Sequence, residues 1–126
     1  SGGGVLNLNR LVQLFLTNPV IAEYDTADGW HVVKYANGRA EAMKEVSVTI
    51  NISLPSAQIF WGSSIVALPD IFVQPPQPNV VCLCNYWVST SVRGISTSSI
   101  DIYAIAEAER KNIPVTFSIR LSGKWK

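Results

Sequence analysis

The stretch that decides the fold is residues 29–48, GWHVVKYANGRAEAMKEVSV. Residues 30–36 alternate loosely between apolar and polar side chains, and residues 40–54 alternate strictly, as strands with one buried face do. Between them stands Asn37-Gly38, the strongest short hairpin signal, because both residues tolerate a positive φ. The sequence therefore predicts a β-hairpin, closed by a type I′ turn in which both residues have positive φ.

Short alternating segments continue from this hairpin to the C-terminus. Gly62, Gly94, Pro69 and the run QPPQP at 74–78 mark turns or loops, since proline cannot donate to a strand ladder. Between these signals, strands are expected at residues 58–61, 64–68, 80–92, 95–106 and 115–121, with a polar turn at 107–114. Seven or eight strands at such spacings indicate an all-β fold, an antiparallel β-sandwich of jelly-roll type.

Upstream of the hairpin the pattern is helical. One apolar stripe follows the spacing i, i+3, i+4, i+7 through Leu8, Leu11, Val12 and Phe15. Asn18-Pro19 then ends any helix. Because one short helix is not stable alone, it must pack on its own domain or on copies of itself. We expect residues 1–19 to form a linker and short helical stem, and residues 20–126 to form the β-sandwich domain.

The composition limits the function classes. A chain of 126 residues suits one domain, and 48% apolar with only 15% charged residues is apolar for a small monomer. Part of the surface is therefore expected to be covered in an oligomer. The formal net charge of +1 gives no support for electrostatic capture of nucleic acid or of an anionic membrane. No run of 18 apolar residues is present, so no membrane insertion is expected.

Residues that carry catalysis or bind metals are sparse. His31 is the only imidazole, and without a partner motif it is expected to be a solvated strand histidine. Cys82 and Cys84 share one face of a predicted strand and are expected to be reduced core cysteines, since zinc would need two more soft ligands. Carboxylate pairs that would suit a glycosidase are expected in turns facing water: Asp25 with Asp28, and Glu107 with Glu109. We predict no enzyme activity, no metal and no cofactor.

Outward aromatic rings provide the candidate ligand site. The rings that could stack on sugars are Trp61, Tyr86, Trp87, Tyr103 and Trp125. In the predicted strands, Trp87 and Tyr103 lie opposite the core stripe, which indicates a subunit interface or, less often, a binding surface. Trp30 and Trp125 are expected to pack as anchors inside the domain. The candidate ligand-binding residues are Trp87 and Tyr103 with the polar side chains of Asn85, Arg93 and Asp101.

Two motifs at opposite ends of the domain resemble those of a known family. The C-terminal β-rich domains of tail-fibre and minor structural proteins from phages and prophages of Gram-positive bacteria open with a hairpin Trp-x-x-x-Lys-Tyr/Trp-x-x-Gly-x-Ala-Glu. They close with Gly-Arg/Lys-Trp-Lys. The matching residues here are Trp30, Lys34, Tyr35, Gly38, Ala40 and Glu41, then Gly123, Lys124, Trp125 and Lys126. The chain departs from the family at Ala42-Met43, where an aromatic or Cys-Trp pair is common.

The resemblance implies a distal domain of a virion, made in the bacterial cytoplasm and assembled as a homotrimer at the end of a fibre. Its usual task is receptor binding, that is, attachment to the bacterial cell surface, often through a saccharide. The predicted helix would then be the last turn of the trimeric stem. A structural, trimerising tip without a ligand is the second hypothesis. An enzyme that degrades a cell-surface polysaccharide is a distant third.

Overall fold

The computed structural model of the chain describes residues 18–126. Regular structure in that range consists of nine β-strands without an α-helix. The strands are β1 (Val20–Asp25), β2 (His31–Tyr35), β3 (Arg39–Ile52), β4 (Leu54–Ser56), β5 (Ile59–Ala67), β6 (Gln77–Leu83), β7 (Ser89–Ile95), β8 (Ser99–Ala106) and β9 (Arg110–Lys124). The helix predicted around residues 8–15 lies outside the described residues. Within residues 18–126, no helix is long and apolar enough to cross a membrane.

The strands form two antiparallel sheets around one hydrophobic core, in a β-sandwich-like arrangement. One sheet has the order β1-β2-β3-β9-β6 and the other the order β4-β5-β8-β7. Fully buried side chains come from both sheets and from the loop before β2: Trp30, Val32 and Ile52, Ile100 and Ile102, and Phe117 and Ile119. The predicted all-β antiparallel class is confirmed.

The longest ladder joins β3 to β9. It runs from Arg39 opposite Lys124 to Ile52 opposite Arg110, with one irregularity near the Ile52 end. Both strands alternate between buried and solvent-facing residues, because the side-chain period of a strand is two. The alternation predicted from the sequence is therefore confirmed, although β3 ends at Ile52 and β9 is longer than expected at both ends.

The predicted break at Gly62 is wrong. β5 runs without interruption through this glycine. A side chain at position 62 would overlap the main-chain oxygen of Asn51 near the end of β3. Glycine is thus needed here for the close approach of two backbones from different sheets, not for a turn.

The strand predicted over residues 80–92 is two strands in different sheets. β6 ends at Leu83 in the five-stranded sheet, and β7 begins at Ser89 in the four-stranded sheet. Residues 84–88, here called the crossing segment, carry the chain between them. Gly94 also lies inside β7, beside a register shift, and the turn to β8 comes later, where Ser96 donates its N–H to the oxygen of Ser99 at 2.9 Å.

The hairpin between β2 and β3 is present, but its turn is not type I′. Gly38 has a φ of +91°, whereas the φ of Asn37 is not positive, as a type I′ turn would require. Gly38 donates its N–H to the oxygen of Tyr35 at 3.1 Å, and the Asn37 side chain accepts the N–H of Arg39 at 3.0 Å. This is a three-residue connection whose last residue is a glycine in the left-handed region.

Two tryptophans anchor the hairpin. Trp30 is fully buried, and its Nε1 donates to the main-chain oxygen of Ala67 at 3.1 Å, which ties the start of β2 to β5 in the opposite sheet. Trp125 donates its Nε1 to the oxygen of Tyr35 at 2.9 Å and its main-chain N–H to that of Gly38 at 2.8 Å. The expected anchor roles are confirmed, and the C-terminal tail closes over the hairpin turn.

Replacing Gly38 tests this turn. We expect Gly38→Val to lower the free energy of unfolding by more than about 1 kcal/mol, because a β-branched residue resists positive φ. Its Cβ would also stand 3.1 Å from the main-chain oxygen of Lys126. The matched control is Gly94→Val, whose Cβ would meet no atom within 4 Å. Urea unfolding of both variants checks the expectation, and equal stabilities would contradict it.

Candidate functional site

Three of the five candidate site residues meet on the outer face of the four-stranded sheet. Ile100, Ile102 and Ala104 of β8 are buried, so the intervening Asp101 and Tyr103 face away from the core. Arg93 reaches the same face from the neighbouring β7. Together with Trp61 of β5 they form what we call the Tyr103 cluster: Trp61, Arg93, Asp101 and Tyr103.

Contacts within the Tyr103 cluster fix the half-buried tyrosine ring. The Trp61 ring meets it edge to face, with centroids 5.3 Å apart and planes at 81°. The Arg93 guanidinium carbon lies 5.4 Å from the ring centroid. Edge-to-face and cation–π pairs each stabilise a ring by a modest amount beyond its burial. These two contacts hold the Tyr103 ring in one orientation, with the edge of one aromatic ring against the face of the other.

Arg93 also faces Asp101. Its Nη1 lies 3.9 Å from Asp101 Oδ2, while Asp101 Oδ1 is buried and has no hydrogen-bond partner among the described residues. An ion pair of this length in contact with solvent contributes little stability. Its effect is to neutralise the cation that lies over the Tyr103 ring.

Trp87 and Asn85 lie elsewhere, in the crossing segment. Trp87 was expected to face outward from a strand, but it is outside both neighbouring strands and its side chain is 89% exposed. The crossing segment is held at Tyr86, whose main-chain oxygen accepts a hydrogen bond from Cys84 Sγ at 3.1 Å. The Arg110 guanidinium carbon lies 4.9 Å from the Tyr86 ring centroid.

A shallow groove joins the two groups of residues. One cavity of about 590 Å³ lies between the crossing segment and the sheet, and a second of about 290 Å³ lies over Trp61 and Tyr103. Ile59 and Ile105 line both cavities. We call this continuous surface the aromatic groove. Trp87 stands at one end of it, and the two rings of the Tyr103 cluster form the other end, whereas the two charged members of that cluster line neither cavity.

Sequence reasoning considered Trp61 as a ring but left it out of the site, and it missed Ile59 and Ile105. The signal that was available is the two-residue spacing in β5, which places Ile59, Trp61, Ser63 and Ile65 on one face of the strand. That face is the outer one, since Ile65 is 71% exposed. Breaking β5 at Gly62 concealed that spacing. The alternation of β8 placed Tyr103 and Asp101 correctly on the outer face.

The groove offers aromatic rings for stacking and polar side chains for hydrogen bonding. Its one carboxylate, Glu107, lies 3.3 Å from Arg110 Nη2. Cys82 and Cys84 are free thiols, half-buried against the core rather than inside it. Burial, followed by the neighbouring Cys84, raises the pKa of the Cys82 thiol to about 11, so it stays protonated at neutral pH. In residues 18–126, no cluster of three or more His, Cys, Asp or Glu side chains could hold a metal.

Comparisons of the chain with protein-family models, with curated proteins and with solved structures gave no match.

Two alanine variants distinguish the ends of the groove. Trp87→Ala should change the free energy of unfolding by no more than about 0.5 kcal/mol, because the side chain is exposed. Tyr103→Ala should cost about 1–3 kcal/mol, since it removes a half-buried ring and its edge contact with Trp61. Urea titration followed by circular dichroism gives both values. Similar losses in the two variants would show that Trp87 packs against the domain.

Proposed function

We propose that this chain is the distal domain of a phage or prophage tail protein and attaches the virion to a saccharide of the bacterial surface. The observation that carries the proposal is the contact between the two resembling motifs. Trp125 donates to Tyr35 and Gly38, and Gly123 pairs with Ala40. Motifs that are far apart in the sequence thus form one unit, as expected if they are parts of a single family pattern.

The strand order supports a jelly roll as the finer description of the fold. β9 lies between β3 and β6, and β8 lies between β5 and β7. From β3 onward the chain passes from one sheet to the other four times: from β3 to β4, from β5 to β6, from β6 to β7 and from β8 to β9. Such wrapping of one chain through two sheets is typical of jelly rolls, which occur in viral and lectin domains.

The aromatic groove supports a saccharide as the ligand. Pyranose rings present C–H faces that pack on aromatic rings, while nearby hydroxyl and amide groups bind sugar hydroxyls. Rings come from Trp61, Tyr103 and Trp87, and polar groups from Asn85 and Ser89. The groove thus combines the two kinds of contact that a neutral sugar uses.

A homotrimer is part of the proposal, and a purely structural tip is its second candidate. Exposed apolar side chains on the outer face of the four-stranded sheet favour a protein contact there, above all Ile65, with Leu54 and Ile59 nearby. A copy of the chain that covered this face would leave less of it for a ligand. The two surfaces overlap at Ile59, which lines the groove, whereas Ile65 lies on β5 beyond the lining residues and tests the protein contact alone.

A binding assay tests the proposal. The probe is an array of bacterial surface polysaccharides, and mass is measured in parallel by light scattering. We expect about three times the monomer mass. We also expect saccharide binding that Tyr103→Ala and Trp87→Ala weaken at least about tenfold, since one stacked ring contributes on the order of 1–3 kcal/mol.

The matched control is Met43→Ala, an exposed change on the outer face of the other sheet, which should alter neither property. Loss of the trimer in Trp87→Ala would assign that ring to the interface. A trimer that binds no saccharide would favour the structural tip, and a monomer without binding would contradict the proposal.

A further inference from the structure

β1 is an edge strand with little apolar burial. Among the strands of residues 18–126, β1 pairs with β2 alone, and every residue in β1 is exposed except the partly exposed Ala22. The connection that follows is well bonded, with Thr26 and Trp30 sharing a main-chain hydrogen bond of 2.8 Å. The attachment of β1 itself therefore depends on its ladder to β2 and on side-chain contacts between the two strands.

His31 provides the most distinctive of these contacts. It stands directly opposite Asp25 in the β1–β2 register, with Glu23 on the same face of β1. Its Nδ1 lies 2.7 Å from Asp25 Oδ1, and its Nε2 lies 2.9 Å from Glu23 Oε1. Each ring nitrogen thus faces a different carboxylate of the edge strand.

The chemistry of these groups fixes the protonation state that suits the geometry. An ionised carboxylate only accepts hydrogen bonds, and a neutral imidazole has a single N–H to donate. Only the imidazolium donates from both nitrogens, so it alone satisfies Asp25 and Glu23 together. We propose that His31 is a pH-sensitive clamp, which holds β1 on β2 when the imidazole is protonated and loosens β1 when it is not.

The other strand beside His31 does not replace this interaction. Across β2, the residue opposite His31 is the uncharged Met43 of β3. Glu41 and Glu45 flank Met43 on the same outward face and add negative charge, whereas Arg120 lies a further strand away, opposite Met43 in β9. A nearby surplus of carboxylates favours the charged imidazole.

The pH range follows from the direction of the shift. Hydrogen bonds to Asp25 and then to Glu23 raise the pKa of His31 above its ordinary value of 6.5, and the smaller effect of desolvation opposes them. A raised pKa in the folded state means that the stabilisation is complete below the unfolded-state pKa and disappears as pH rises through the folded-state pKa. The clamp is closed below the ordinary imidazole pKa of 6.5 and opens as the pH rises through the raised pKa of the folded state.

Amide hydrogen exchange of the full chain tests the clamp. Protection factors of the β1 amides, corrected for intrinsic exchange, should fall about 3- to 10-fold between about pH 5 and about pH 8, the range expected for exposed charge pairs. In His31→Gln, which keeps a polar side chain but cannot titrate, this fall should be absent. Amides of β3 and β9 serve as the internal reference and should show no such difference.

An NMR titration of the His31 ring keeps the test decisive if His31→Gln is unstable. The pKa should lie above 6.5 in the wild type and should drop in both Asp25→Asn and Glu23→Gln, each of which removes one carboxylate. A His31 pKa at or below 6.5, a β1 protection factor that is independent of pH, or the same pH response in His31→Gln would each overturn the proposal.

Discussion

The pairing of β3 with β9 is the interaction on which the rest of the structure depends. It is the longest ladder in the described chain, and its inward side chains form a large part of the core. β2 and β1 extend the sheet from β3, while β6 extends it from β9. Burial of the inward residues, including Phe117 and Ile119, is the main favourable contribution to the free energy of folding. Each individual hydrogen bond between side chains contributes less than this burial.

The position of the second sheet follows from this ladder at two points. At one end, the backbone of β3 approaches β5 so closely at Asn51 that only glycine fits at position 62. On the other side, Trp30 joins β2 to β5 through its hydrogen bond to Ala67. Because β5 is fixed at both points, β8 and β7 are placed beside it, and the aromatic groove forms on the outer face. The edge strand β1 lies outside this support, which is why one titrating side chain can matter there.

The sequence predicted what depends on regular alternation. β3, β8 and β9 each turn every second residue towards the core, buried or half-buried. The sequence therefore predicted these strands, their inward faces and the outward position of Tyr103. The hairpin at Gly38 was readable too, because glycine adopts the positive φ that a tight turn between two strands requires. The type of turn was not, since it depends on whether Asn37 adopts positive φ or uses its side chain to bind Arg39.

What the sequence did not predict depends on contacts between distant segments. β1 has no buried face, so VIAEYD lacks the alternation that identifies the other strands, and without β1 the contacts of His31 with Asp25 and Glu23 could not be predicted. The close approach at Gly62 and the crossing segment both arise from the packing of one sheet on the other. Trp87 is an example: the sequence predicted that its side chain faces outward from a strand, but the residue lies in the crossing segment between β6 and β7.

Native-state hydrogen exchange across a denaturant series tests the central role of the β3–β9 ladder most directly. If this ladder supports both sheets, its amides exchange only through global unfolding, with the largest opening free energy in the domain. Amides of β1 and β4 should exchange through smaller local openings. The account would be contradicted if the amides of β9 exchanged while those of β5 and β8 stayed protected, because the four-stranded sheet would then persist without the ladder.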